Sequence, residues 1–201
     1  MSFLRRSASD PRLEAVLARL CQKLGDLWTT HAVKLPYLVD LVAQHVLGRC
    51  ITKSHHKAWK LGVVTARAWG LVTKERGGDH FDVYGDPIVD GVRISLRDES
   101  ALEELAPEEL AIVDFVAKEY GGLSPSELGD LTKEINPEIR HWGGRDLVPL
   151  TEAAYKRLPI WFGENEADAE IATRVARAVE DGRKQVIPIE DLDYFLSVPS
   201  S

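Results

Sequence analysis

Lys34-Leu35-Pro36-Tyr37-Leu38-Val39-Asp40-Leu41-Val42, running on to Val46-Leu47-Gly48, is the stretch that decides the fold class. Leu35, Leu38, Leu41, Val42 and Val46 recur at helical spacing and form one apolar face. Gly48 is a natural stop. Pro36 is the awkward residue: it lacks a donor and clashes one turn back, so it must lie in the first turn or kink the helix.

The same period extends upstream. Asp10 caps a first helix with Pro11 in its first turn, and Leu13, Val16, Leu17, Leu20, Leu24 and Leu27 line one face. Trp28, Thr29 and Thr30 are expected to close it. Downstream, Thr52 or Ser54 is expected to cap a third short helix holding His55, His56, Trp59 and Leu61. Gly62 interrupts it, and a fourth helix runs from Val63 to Val72 with Trp69 inside.

The texture changes after Gly77-Gly78. Phe81 to Tyr84 and Val92 to Leu96 alternate apolar and polar residues around turn signals, which predicts an antiparallel hairpin or small sheet. Helices resume at Pro107, with Leu110, Val113, Val116, Ala117 and Tyr120 on one face. Ser124-Pro125-Ser126-Glu127 is a capping box for the next helix, which should end before Asn136-Pro137. Trp142-Gly143-Gly144 is a break. Beyond it, helices are expected after Thr151, over residues 166–182, and around Leu192, Phe195 and Leu196. The reading is mainly α: a helical domain over residues 1–145 with a small antiparallel β element inserted, and an acidic C-terminal helical extension over 146–201 packed on it.

A length of 201 residues suits one domain with an extension, or two small domains. With 44% hydrophobic and 28% charged residues, a disordered or fibrous chain is excluded. No apolar run is long enough for a spanning helix, and the start lacks the apolar core of a secretory signal. Cys21 and Cys50 are too few for a disulfide framework, so a reducing cytoplasm is expected. The net charge of −7 is unevenly spread. Residues 1–78 carry 13 Lys and Arg against 5 Asp and Glu; residues 79–201 carry 12 against 27. Such asymmetry points to partners of different charge, to two halves that attract each other, or to ordinary solvated helix faces.

Chemistry-bearing motifs are lacking. There is no glycine-rich phosphate loop and no nucleophile elbow. His55 and His56 are adjacent, which on a helix points them about 100° apart and does not suit a shared metal; a surface or helix-end role is expected for the histidines. Glutamates crowd helix starts, where the dipole explains them. Cys21 falls on the apolar stripe of the first helix as a small hydrophobe. No enzyme, metal or cofactor is expected. Trp59, Trp69, Trp142 and Trp161 read either as core or as interface anchors.

Lys34 to Asp40 resembles the "K-L-L-Y-L-A-D" helix that opens the Panacea domain, the SocA-like antitoxin domain. Gly48-Arg49-Cys50-Ile51-Thr52 resembles its "G-x-P-I-T" turn, and Gly62-Val63-Val64 stands at its "G-P-V". Leu105 to Gly121 is similar to its next helix, and Leu128-Gly129-Asp130-Leu131-Thr132-Lys133-Glu134, ending at Trp142, to its closing segment. The resemblance spans residues 15–145. Pro36, Val63 and Lys133 depart from the pattern, where Leu, Pro and His are usual.

The resemblance implies an antitoxin: mainly helical, cytoplasmic, encoded beside a toxin and neutralising it by direct binding. It also implies an adaptor role toward a protease, and admits a chaperone or a second copy of the chain as partners. Lys34, Tyr37, Asp40, Thr52, Trp59, Gly62, Thr132 and Trp142 are the candidate toxin-binding positions, with a purely structural role as the competing reading for each. The alternative function is a winged-helix-like DNA-binding regulator, including regulation of its own operon. Its phosphate-contacting patch would be Arg49, Lys53, Lys57, Lys60 and Arg67. Asp79, Asp82, Asp86 and Asp90 beside the expected wing oppose it, and nucleic acid is left open as a partner.

Overall fold

The computed structural model describes residues 10–74, 77–85, 91–137, 139, 147–151, 153–154, 157 and 177. The first helix, α1, spans Pro11–Leu24, with the Asp10 carboxylate accepting from the Leu13 amide at 3.1 Å. It stops earlier than expected. Gly25 adopts φ 77°, a left-handed value glycine reaches without strain, and its N–H donates to the Cys21 carbonyl. Leu27–Trp28 is then free to form a strand, β1, and Thr29 opens the next helix rather than closing the first.

That helix, α2 (Thr29–Leu47), is the axis of the fold. Every residue from His31 to Ala43 is buried, so it is enclosed on all sides rather than amphipathic. It touches α1, β1 and, further along the chain, residues 62–65, 66–73, 93–96, 107–120 and 125–135. Pro36 lies well inside it, not in its first turn. The missing amide removes the rung to Ala32, and burial among neighbours holds the helix together around that gap.

The expected third helix does not form. Residues 56–65 are a tight antiparallel hairpin, β2 (His56–Trp59) with β3 (Gly62–Thr65), paired from His56 opposite Thr65 to Trp59 opposite Gly62. The physical reason is legible afterwards. His56 and Ala58 are buried while Lys57 and Trp59 are half-buried, a period of two. Val63-Val64-Thr65 is a β-branched run that suits a strand. Gly62 takes φ 97° directly after the Lys60-Leu61 turn. The expected fourth helix is therefore shorter: α3 covers Ala66–Thr73.

The hairpin expected at residues 81–96 is present as β4 (Phe81–Tyr84) and β5 (Arg93–Leu96). β5 also pairs with β1, giving a three-stranded antiparallel sheet in the order β1-β5-β4. A short 3-10 turn, Glu99–Glu104, leads to α4 (Pro107–Tyr120), and α5 (Pro125–Ile135) follows. The Ser124–Glu127 capping box is reciprocal: Glu127 N–H donates to the Ser124 hydroxyl, and Ser124 N–H to the Glu127 carboxylate. The architecture is mainly α with two small antiparallel sheets. Of the C-terminal extension, Leu147 bridges Lys57 and Val148 N–H donates to the His56 carbonyl at 2.9 Å, along the open side of β2. Trp142, the Gly143-Gly144 break, all of the helix expected over 166–182 except Arg177, and the final turn lie outside the described residues.

Glu109 ties three elements together. Its side chain is 1% exposed, accepts from the Ala106 amide at 2.9 Å, and takes Arg49 at 2.5 Å and Arg12 of α1. Burial pushes this carboxyl up, but the Ala106 amide and the Arg49 and Arg12 guanidinium groups outweigh it and hold it below the usual glutamate value. A depressed carboxyl contributes stability above its unfolded pKa, and that contribution is lost as pH falls through the folded value. Glu109→Ala is expected to cost about 2–3 kcal/mol at neutral pH. In urea melts the variant should also lose less stability than the parent on acidification below pH 4.5; parallel pH dependence would refute the role of this carboxylate.

Candidate functional site

Three polar residues on α2, each three apart, project from the same side of the helix: Lys34, Tyr37 and Asp40. All are buried, Tyr37 and Asp40 completely. A buried polar group without a partner is costly, and each of the three finds its partners in segments distant in sequence.

Asp40 accepts from the amides of Ile51 and Thr52, both at 2.8 Å, and from the Thr52 hydroxyl and the His56 imidazole. The carboxylate thereby fixes the turn after α2 and the start of β2. The other ring nitrogen of His56 meets the Thr65 hydroxyl at 3.1 Å. Tyr37 packs edge-on against the His56 ring, with centroids 5.3 Å apart. Its hydroxyl accepts from the Asn136 amide at 2.9 Å, just beyond the end of α5. His56 is thus an interior residue, not the surface or helix-end histidine expected from sequence.

Lys34 donates to the carbonyls of Leu61 at 2.6 Å and Val63 at 2.9 Å, on either side of Gly62. Thr132 of α5 accepts from the Val63 amide at 3.1 Å and donates to the Gly129 carbonyl. Gly62 is wedged between them. A Cβ there would lie 2.2 Å from the Thr132 hydroxyl and 2.7 Å from the Gly129 carbonyl. The hairpin therefore meets α5 backbone to backbone. Burial, and then the charge of Lys133, lower the Lys34 ammonium to about 8.

Six of the eight candidate positions, Lys34, Tyr37, Asp40, Thr52, Gly62 and Thr132, thus meet around this one hairpin inside the fold. Trp59 is different. It is half-buried and stacks edge-to-face on Trp69, with ring centroids 5.0 Å apart. Together with Val33, Val64 and Leu61, the two tryptophans line a groove of about 490 Å³ between the hairpin and α5. Leu61, at the hairpin tip, is 71% exposed. Sequence reading did not find this groove, nor His56, Thr65 and Asn136 as members of the network. The β-branched run behind Gly62 was the available signal.

The candidate basic patch is spread over several elements. Arg49 follows α2 and is bound to Glu109, Lys53 is in the following loop, Lys57 is in β2, Lys60 is in the hairpin turn and Arg67 is in α3. The helix expected just before Gly62 would have carried Lys57 and Lys60, and that segment is the hairpin. Among the described residues no group of three His, Cys, Asp or Glu side chains is placed to hold a metal ion. Cys21 is buried, and burial together with the Asp26 charge pushes its thiol up to about 12. No helix of the described residues is long and apolar enough to cross a membrane.

Gly62→Ala adds a clash with backbone to a left-handed φ and should cost about 3 kcal/mol or more. Asp40→Ala leaves two amides and an imidazole without their acceptor and is expected to cost about as much. Chemical denaturation checks both. Losses under about 1 kcal/mol, the typical size for a point substitution, would show that this network does not hold the fold.

No curated protein and no solved structure matches the chain. A family model does: that of the SocA-like antitoxins, the Panacea domain, over residues 33–137. The match begins inside α2 and ends just after α5, so it encloses the hairpin, the groove apart from Thr29 and Thr30, and the whole Lys34–Tyr37–Asp40 network. It covers just over half of the 201 residues, and the chain belongs to the SocA-like antitoxin family with its Panacea domain.

Proposed function

We propose that this chain is the antitoxin of a toxin–antitoxin pair and neutralises a protein toxin, encoded beside it, by binding it directly in the cytoplasm. The observation that carries this reading is the family match, which lies on the part of the fold built around α2. The interior placement of most motif residues supports it further. Lys34, Tyr37, Asp40, Thr52, Gly62 and Thr132 are consumed in holding the hairpin. Such a scaffold leaves its surface free to be fitted to a particular toxin. What it displays is the hairpin tip and the Trp59–Trp69 pair, and partly exposed aromatics are the side chains that dominate binding hot spots.

Binding without catalysis is the activity this reading assigns, with residues 1–145 as the binding domain and 146–201 packed on it. An adaptor role, handing the toxin to a protease, is its finer form. Co-expression with the product of the adjacent reading frame is the test. The antitoxin should restore growth and co-purify with the toxin at stoichiometric ratio. Growth arrest that persists despite soluble antitoxin, with no complex on size exclusion, would end the proposal. The adaptor form additionally requires that toxin half-life shorten when the antitoxin is present.

A further inference from the structure

Among the described residues, Lys34 is a buried cation without a counter-ion. The residue is 2% exposed, and its ammonium gives two of its three N–H bonds to the carbonyls of Leu61 and Val63. Among the described residues no carboxylate lies within ion-pair distance of it. Asp130, the acidic residue of the groove, is bound to Lys133 at 3.1 Å. Taking a charge out of water is costly unless it is paired, and carbonyl dipoles offset that cost only in part. The residue lines the groove, as do Lys60 and Lys133. A chain with a net charge of −7 thus sets three lysines against one aspartate around a groove whose other lining is apolar side chains, a glycine and three hydroxyl residues, Thr29, Thr30 and Ser126.

We infer that this groove receives a segment of the toxin in which an apolar side chain, held against Trp59 and Trp69, is followed by an Asp or Glu whose carboxylate reaches Lys34. The inference rests on the antitoxin reading for the source of the segment, not for its chemistry. The apolar side chain gains burial against two rings already stacked, and the carboxylate completes the third hydrogen bond of Lys34. A charge-assisted bond at a dry site is stronger than a neutral one. Lys60 and Lys133 at the rim favour the approach of an acidic segment and disfavour a basic one. Selectivity would come from Lys34, because a segment with Gln in place of Glu leaves that ammonium unpaired.

The first test uses the full chain and two blocked peptides, acetyl-Gly-Trp-Glu-Gly-amide and its Gln counterpart, whose only difference is the carboxylate. The Glu peptide should bind at least fivefold tighter and shift the amide resonances of Gly62 and Gly129. In Lys34→Met the preference should vanish. Should that variant fold poorly, Leu61→Glu, at an exposed position, places a repelling charge at the groove mouth and should abolish binding of both peptides. Equal binding of the two peptides, or no shift at Gly62 and Gly129, would overturn the inference. The second test is the complex with the adjacent gene's product, where Leu61→Glu should weaken affinity at least tenfold. A complex that forms with unchanged affinity removes the groove as the toxin's site and leaves the antitoxin reading intact. Failure of the parent chain to form any complex removes that reading instead, while the peptides still decide the chemistry of the groove.

Discussion

A helix enclosed on every side cannot carry a lysine, a tyrosine and an aspartate unless the rest of the chain is brought to them. That constraint organises this fold. Asp40 needs donors, and the backbone at Ile51 and Thr52 supplies them together with His56. Lys34 needs acceptors, and the carbonyls flanking Gly62 supply those. Tyr37 reaches Asn136 at the end of α5. The polar side of α2 therefore sets the place of the β2–β3 hairpin, and the hairpin in turn sets the place of α5. Apolar burial provides the driving force for collapse, but it is nearly indifferent to register; these hydrogen bonds are directional and select one arrangement.

Legibility in the sequence followed the range of the interactions. Caps and stops are local, so Asp10, Pro107, the Ser124 capping box and the end of α5 were all readable from a few neighbouring residues. The β2–β3 hairpin was not. His55 and Trp59 stand four apart, as on a helix, and what makes residues 56–65 a hairpin instead is contact with α2 and α5, far away in the chain. The motif positions emerged through a family resemblance, which names residues without saying what they touch. Their shared role as supports of one hairpin, and the pairing of Trp59 with Trp69, required the tertiary structure. Strand β1 was missed for the same reason: two residues pair with a partner some 66 positions later.

The uneven charge of the chain also finds a physical place. Arg12 and Arg49 from the basic first part meet Glu109, and Arg19 and Lys23 meet Asp114, both acidic residues on α4. Part of the asymmetry is thus internal attraction between α1, the end of α2 and α4. Exposed pairs of this kind contribute little individually; Glu109, buried and shared by two guanidinium groups, is the exception. Lys60 and Lys133 belong to a different population, at the rim of the groove.

Leu147 and Val148 lie along the outer side of β2, beyond the last residue of the family match. An unpaired strand side is a template for pairing with other chains. A chain cut where the family match stops would keep every motif position except Trp142 and still uncover that template. The family match and the cover of β2 therefore have different boundaries in this protein: one side of that strand is paired by residues that the matched region does not include.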